Sequence, residues 1–419
     1  MAVRIARPSS SGPPILRGRC HEAMSDDLDQ IDGGDATFLR SRIRSLPLDG
    51  SERLRLVDLF AGSGGLTLGV MEACRAINAR LEVRLAMELD ERVRAVYDLN
   101  FPSQVKNNRG DVLSRFGLVP GKPLSAAEQE TRREVGRVDI LVGGPPCQGH
   151  SDLNNHTRRR DKKNELYMVM VRAAEVLKPR YVLIENVQGV RRDHGEVLLR
   201  ATEYLRGALG YTVEHRLVRM VDIGVPQKRV RHILVAYRGD EVPQLLDFPQ
   251  IEKPRTLQWA IQDLQKKKFS MQSIFDTPAR LSPANAERAK YLLENPEIHD
   301  LPNHLRPRCH RDNPSHRYKA MYGKLKWNEP AHTITTGFGS PGQGRYFHPE
   351  EPRTLTPHEA ARVQFFPDWF DFGPNSNRGL LAHCIGNAVP PKLAFSVLVR
   401  LLRQHAAGVS TQKPKGEAA

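Results

Sequence analysis

A single cysteine stands in "GGPPCQGHS", residues 143–151, directly behind Pro145 and Pro146. A thiol acts as a nucleophile when its surroundings favour the thiolate. The preceding "VDILV" reads as a buried strand, so Cys147 falls where a strand gives way to a loop. In open α/β sheets that edge is where ligands bind, and the two prolines stiffen the loop so that the thiol is aimed. A second strand end carries "IENV", where Glu185 and Asn186 follow directly on apolar "YVLI". A carboxylate there faces the same crevice as Cys147. In "PQKRVRHILV", Gln227, Arg229 and Arg231 alternate, which puts them on one face of a strand. Two arginines on one face suit an oxyanion or phosphates. These types add up to nucleophilic attack with proton transfer and stabilisation of developing negative charge.

A second constellation lies upstream. In "VDLFAGSGGLTLG", residues 57–69, an apolar strand runs into Gly62, Gly64 and Gly65 and a helix opens after them. Such a turn lets a ligand approach the backbone at a helix N-terminus. No GK[ST] follows, so this is not a triphosphate-binding loop. Glu88, in "MELD", lies 88 − 65 = 23 residues beyond the last glycine, near the ~20 expected of an acid on ribose hydroxyls. Asp111, in "RGDV", follows the next expected strand. Without an arginine cluster, the crevice suits a nucleoside lacking a phosphate chain better than NAD.

Positioning these groups requires alternating strands and helices. "RLRLVDLF", "EVRLAMEL", "VDILVGG", "RYVLIENV" and "RHILVAYR" read as strands; "LTLGVMEACRAI", "ERVRAVYDLNF", "ELYMVMVRAAEVLK" and "GEVLLRATEYLRGALG" read as helices. The rhythm predicts parallel βαβ units in a doubly wound α/β sheet. Residues 1–52 read as a disordered or weakly ordered tail, with Met24 as an alternative start. Residues 53–238 form the catalytic and cofactor-binding domain. Residues 239–352, rich in Pro, Asn, His and charge, form a smaller irregular domain. Residues 353–405 return to the first domain, and 406–419 form a disordered tail.

Composition bounds the class. Lys plus Arg number 63 against 48 acidic residues, a net charge of +15, which points to a polyanionic partner such as nucleic acid. No apolar run approaches the ~20 residues that cross a bilayer, and no membrane association is expected. The five cysteines are far apart and lack CxxC spacing, which argues against a disulfide framework or a zinc site and for a reducing intracellular setting.

In this order, "DLFAGSGG", "ELD", "GDV", "GGPPCQGHS", "ENV", "QKRVR", "RTLTPHEAARVQFFPDWF" and "GNAVPPKLA" resemble the bacterial-type DNA cytosine-5 methyltransferases. The resemblance covers roughly Leu56 to Leu402. It implies a Rossmann-like methyltransferase fold with a target-recognition domain over residues 239–352, and S-adenosylmethionine as cofactor with no metal. Phe60, Ala61, Gly62, Gly64, Gly65 and Pro145 would line the cofactor site, with Phe60 stacked on adenine. Glu88 would hold the ribose, Asp111 the adenine amino group, and Asn387 would complete the pocket. Cys147 would attack the base, Glu185 would contact N3 and the exocyclic amine, and Arg231, with Arg229, would serve the cytosine O2. Gln148, Ser151, Asn186, Gln227 and Arg353 would face substrate DNA, Arg353 supporting the recognition domain. His150 departs from the family, which has a bulky apolar residue there. The implied enzyme is a monomer that methylates duplex DNA in the cytoplasm, at the nucleoid, beside a restriction endonuclease or other defence proteins.

Two alternatives differ in substrate or class. A tRNA-methylating branch of the family carries Cys-Phe-Thr in its recognition region, whereas Cys309 here precedes His310 and Arg311. A catalytically silent DNA-binding regulator would have no need of the intact Cys147, Glu185 and Arg231.

Overall fold

The computed structural model describes residues 34–44, 52–102, 110–146, 162–193, 195–239, 244–247, 251–265, 273–312, 321–374 and 376–411. Six strands form one sheet: β1 (Arg53–Leu59), β2 (Arg80–Met87), β3 (Ile140–Gly143), β4 (Tyr181–Val187), β5 (Thr212–Arg219) and β6 (Val230–Tyr237). Their order is β2-β1-β3-β4-β6-β5. In the N-terminal half lie α1 (34–40), α2 (Gly65–Arg75), α3 (Glu91–Asn100), α4 (Ala126–Val135), α5 (Leu166–Leu177) and α6 (Val197–Gly207). In the C-terminal half lie α7 (Leu257–Gln265), α8 (Pro283–Glu294), α9 (Arg308–Arg311), α10 (Pro357–Val363), α11 (Arg378–Asn387) and α12 (Pro391–Thr411).

Side-chain alternation along β1 sends Leu54 and Leu56 into one core with α2 and α12, and Val57 and Leu59 into the other with α5 and α6. This places helices on both faces of the sheet, as a doubly wound fold requires. A separate small cluster joins Ala289 and Leu292 of α8 to Leu301 and Phe347. Among the described residues, one helical stretch, Arg378–Gln404, is long and apolar enough to cross a membrane, and 72 % of its apolar window is buried inside the fold. Its hydropathy is that of core helices.

Three features depart from the sequence reading. The sheet is mixed: β6 runs antiparallel to both β4 and β5. The chain from Arg219 to Val230 is a short 3₁₀ turn and loop, whereas a parallel return needs a crossover of roughly a dozen residues or more. Strand β5, "TVEHRLVR", was not anticipated, because an edge strand alternates charged and apolar residues and has no apolar run. Finally, both expected disordered tails are ordered in part: residues 34–44, with Leu39 fully buried, and residues 406–411, which continue α12.

Candidate active site

The Gly-rich turn leaves β1 under backbone tension. Phe60 has φ +60°, a region costly for a side chain with a Cβ; the ring is half-buried at the edge of the second core. Ala61 N–H donates to Met87 O (2.9 Å), pinning the turn to the end of β2. Gly62 N–H donates to Glu88 Oε2 (3.0 Å). Helix α2 then starts at Gly64 without a side-chain cap, so its first N–H groups need partners. A Cβ placed on Gly62 would meet nothing within 4 Å. At Gly62 the turn therefore faces open space, with a carboxylate and an uncapped helix end beside it.

Glu88 is half-buried, and its other oxygen accepts from Asp90 N–H (3.0 Å). Spacing and placement agree here, since the acid sits on the glycine turn itself. Asp111 is exposed and its Oδ1 accepts from Leu113 N–H (3.0 Å); the strand expected ahead of it lies outside the described residues. Asn387 is the exposed last residue of α11. Two residues on, the carbonyl of Val389 would lie 2.2 Å from a Cβ on Gly65, so the C-terminal segment closes directly against the glycine turn.

The second constellation assembles at the ends of β3, β4 and β6. Glu185 is 7 % exposed. Arg231 Nε lies 2.8 Å from its Oε1, and a Cβ on Gly144 would lie 3.4 Å from its Oε2. Asn186 Nδ2 donates to the carbonyl of buried Pro145 (3.3 Å). Asn186, itself 1 % exposed, thus fixes the strand-to-loop exit rather than facing DNA, the role expected of it. Cys147, Gln148, His150 and Ser151 lie outside the described residues; Pro146 immediately precedes them.

Gln227 and Arg229 depart from the expected shared face with Arg231. Strand β6 begins only at Val230, and the preceding residues form a bridge to Ala331. Gln227 Nε2 donates to Gln364 Oε1 (2.7 Å) and its Oε1 accepts from Ile334 N–H (3.2 Å). Arg229 Nη1 donates to Ile334 O (3.0 Å). Both are buried, at 0 % and 4 % exposure. They tie the active-site strand to residues 331–334, while Arg231 alone turns to Glu185. Arg353, expected against DNA, is 7 % exposed and donates to both oxygens of Glu359 (2.7 and 2.8 Å) and of Glu351 (2.9 and 3.0 Å). A guanidinium engaged in two such pairs inside the protein braces the start of α10.

Sequence reasoning missed Asp58. It is fully buried beneath the glycine turn; Thr67 Oγ1 donates to its Oδ2 (2.6 Å), and Tyr97 OH lies 2.9 Å from Thr67 Oγ1. The signal was an acid inside an apolar strand, "LVDLF". Burial, opposed by the Thr67 hydrogen bond and helped by the charge of Glu88, pushes its carboxyl up to about 7. A raised folded pKa means that Asp58's contribution to stability is complete below its unfolded pKa and is lost as pH rises to about 7. Asp58→Asn keeps the acceptor for Thr67 and removes this titration. Relative to wild type the variant is expected to gain roughly 2 kcal/mol between about pH 5.5 and 8.5. Denaturant unfolding across that range checks it; a difference flat in pH would remove the raised pKa.

With the geometry in hand, comparison with known proteins identifies the class. The sequence model of C-5 cytosine-specific DNA methylases matches residues 54–403, and the chain belongs to that family, the DNA cytosine-5 methyltransferases. It is 40 % identical over 371 residues to the Type II methyltransferase M1.BsuMI of Bacillus subtilis (strain 168), covering 88 % of this chain and 85 % of that one. It is 30 % identical over 345 residues to the Type II methylase M.HgiDII of Herpetosiphon aurantiacus, covering 81 % and 92 %. In fold it is similar to a prophage-encoded candidate DNA modification methyltransferase of Escherichia coli. The TM-score is 0.55 at 24 % identity, over 84 % of this chain and 99 % of the other.

Proposed function

We propose that this enzyme methylates C5 of a flipped-out cytosine in duplex DNA through a covalent bond from Cys147 to C6. The observation that carries the reading is the ion pair of Glu185 and Arg231 at adjoining strand ends, beside the Pro145 exit that Asn186 holds and that leads to Cys147. Cytosine C5 is too weak a nucleophile to react unaided. Addition of the thiolate at C6 breaks aromaticity and makes C5 enamine-like. Glu185 holds the proton at N3 that neutralises the developing charge, and Arg231 keeps Glu185 in place while offering donors to O2. Once C5 carries the methyl group, loss of the C5 proton to solvent re-forms the C5=C6 bond and expels the Cys147 thiolate. A base inside a duplex is out of reach of these groups, so it must leave the stack.

The glycine turn fits S-adenosylmethionine: open space over Gly62, the Glu88 carboxylate for ribose hydroxyls, half-buried Phe60 for the adenine face, and Asp111 and Asn387 at the margins. Bound there, the cofactor supplies a sulfonium methyl group. Arg229, Gln227 and Arg353 act as braces, and Gln148 and Ser151 contact the DNA. The Type II names of its relatives support a modification role beside a cognate restriction endonuclease, in the cytoplasm. The test is transfer of a tritiated methyl group from S-adenosylmethionine to duplex DNA, with 5-methylcytosine mapped by methylation-sensitive sequencing. Label in tRNA and none in DNA would overturn the substrate.

Glu88 provides a further expected result. Glu88→Ala removes a charged acceptor from two hydroxyls and weakens S-adenosylmethionine by about 1.5–3 kcal/mol, roughly 10- to 150-fold in Kd. Calorimetry measures it, and an unchanged Kd takes Glu88 out of the site.

A further inference from the structure

Residues 34–44 precede the segment that the family model matches, yet they are built into the fold. Asp35, 8 % exposed, places one oxygen 2.6 Å from Arg255 Nη1 and the other 2.6 Å from Lys392 Nζ. Arg255 and Lys392 are themselves 6 % and 5 % exposed. One carboxylate thus lies between two buried cations that would otherwise repel, at a depth where unpaired charge is costly. The cations belong to different parts of the fold. Arg255 stands two residues before α7, its guanidinium 4.3 Å from the Trp259 ring centroid. Lys392 is in the first turn of α12, the helix packed on α2 beneath the glycine turn.

The strap continues past Asp35. Arg40 Nη2 donates to Trp259 O (2.5 Å) on α7. The carbonyls of Leu39 and Ser41 accept from Asp368 and Trp369 N–H (3.1 and 2.9 Å). Helix α7 is in turn wired to the catalytic side. Leu257 N–H donates to Glu329 O (2.8 Å), and the Glu329 carboxylate takes Lys228 Nζ (2.6 Å), the neighbour of Gln227 and Arg229. A shift at the start of α7 is therefore passed to residues 329–334 and to the segment leading into Arg231. The packing of α12 on α2 is apolar, with Leu393, Ala394, Val397 and Leu398 sharing a core with Leu66, Leu68 and Val70.

We propose that residues 34–44 form a clasp that sets the DNA-facing segment against the cofactor side of the enzyme, with Asp35 as its positioning residue. The proposal rests on the reading of residues 239–352 as the recognition segment. The experiment uses the full chain and steady-state methylation of duplex DNA, with wild type first shown to be active. Asp35→Asn is expected to raise KM for DNA about tenfold or more through misplacement alone, while Kd for S-adenosylmethionine stays within about twofold. Asp35→Glu, which keeps the charge, is expected to recover most of the loss. Should Asp35→Asn fail to fold, Asp35→Asn with Lys392→Met removes the cation left opposite Arg255, and the same rise in KM is expected. A folded single or double variant with wild-type KM for DNA overturns the clasp and leaves the proposed function standing, as does a KM and a cofactor Kd that worsen together. An inactive wild type fails the proposed function; the clasp is then read by fluorescence-anisotropy binding of unmodified duplex, which must weaken in the variants for it to survive.

Discussion

Cys147→Ser is expected to reduce methyl transfer to duplex DNA below about one per cent of wild type, a loss of more than roughly 2.7 kcal/mol of transition-state stabilisation. A serine hydroxyl is far less ionised than a thiol at neutral pH and is a weaker nucleophile towards C6. The contacts of the groups proposed to meet the base do not involve the thiol: Arg231 lies 2.8 Å from Glu185, and Asn186 donates to Pro145. Cofactor affinity should therefore persist, because the glycine turn and Glu88 follow the ends of β1 and β2 rather than that of β3. The measurement is tritium incorporation with a parallel calorimetric titration. Activity above a few per cent of wild type would take Cys147 out of the catalytic role. A duplex carrying 5-fluorocytosine supplies the complementary result: fluorine cannot leave C5 as a cation, so wild type is trapped as a denaturation-resistant adduct and Cys147→Ser is not.

How much of this was legible before the structure depends on the kind of residue. Strands with uninterrupted apolar runs, such as "VDILVGG" and "YVLIENV", declare themselves because both faces are buried. The place of Glu88 on the glycine turn was legible because such a turn and an acid at the next strand end are fixed by one local βαβ geometry. Other features have no local signature. The direction of β6 depends on the length of a connection, and β5 lacks an apolar run. Asp35 gains a role only from cations 220 and 357 residues away in sequence. Gln227, Arg229, Asn186 and Arg353 show the converse. Polar residues inside a recognisable motif invite a functional reading, yet the structure uses their hydrogen-bonding capacity inward, on Ile334, Pro145 and Glu359. A brace differs from a ligand contact in where its hydrogen-bond partners lie, and spacing does not report partners.

Gly65 marks where the two halves of the site meet, and Gly65→Ala is expected to damage both. A Cβ at this position would lie 2.2 Å from the Val389 carbonyl oxygen and 3.3 Å from its carbon. Backbone cannot rotate aside as a side-chain tip can. Val389 is held in place because Ala388 O and Ile385 O accept from Gln364 Nε2, and Gln364 is in turn bonded to Gln227. Gly69, one turn further along α2, is as tight, with a Cβ there 2.1 Å from Pro391 O. The chain around 389–391 therefore cannot slide along α2 to relieve the overlap. It must lift away, carrying Asn387 with it and opening the wall beside the glycine turn. Overpacking of this kind costs about 1–3 kcal/mol, and two fixed backbones put Gly65→Ala at the upper end. A lower Tm and at least a roughly tenfold weaker S-adenosylmethionine Kd are expected together. Gly207→Ala in α6 is the control: nothing lies within 4 Å of its Cβ, and alanine favours a helix by up to about 1 kcal/mol. Its Tm should hold or rise with cofactor affinity unchanged. If Gly65→Ala behaved like this control, the C-terminal segment would not be seated on the glycine turn, and Asn387 would lose its place at the cofactor.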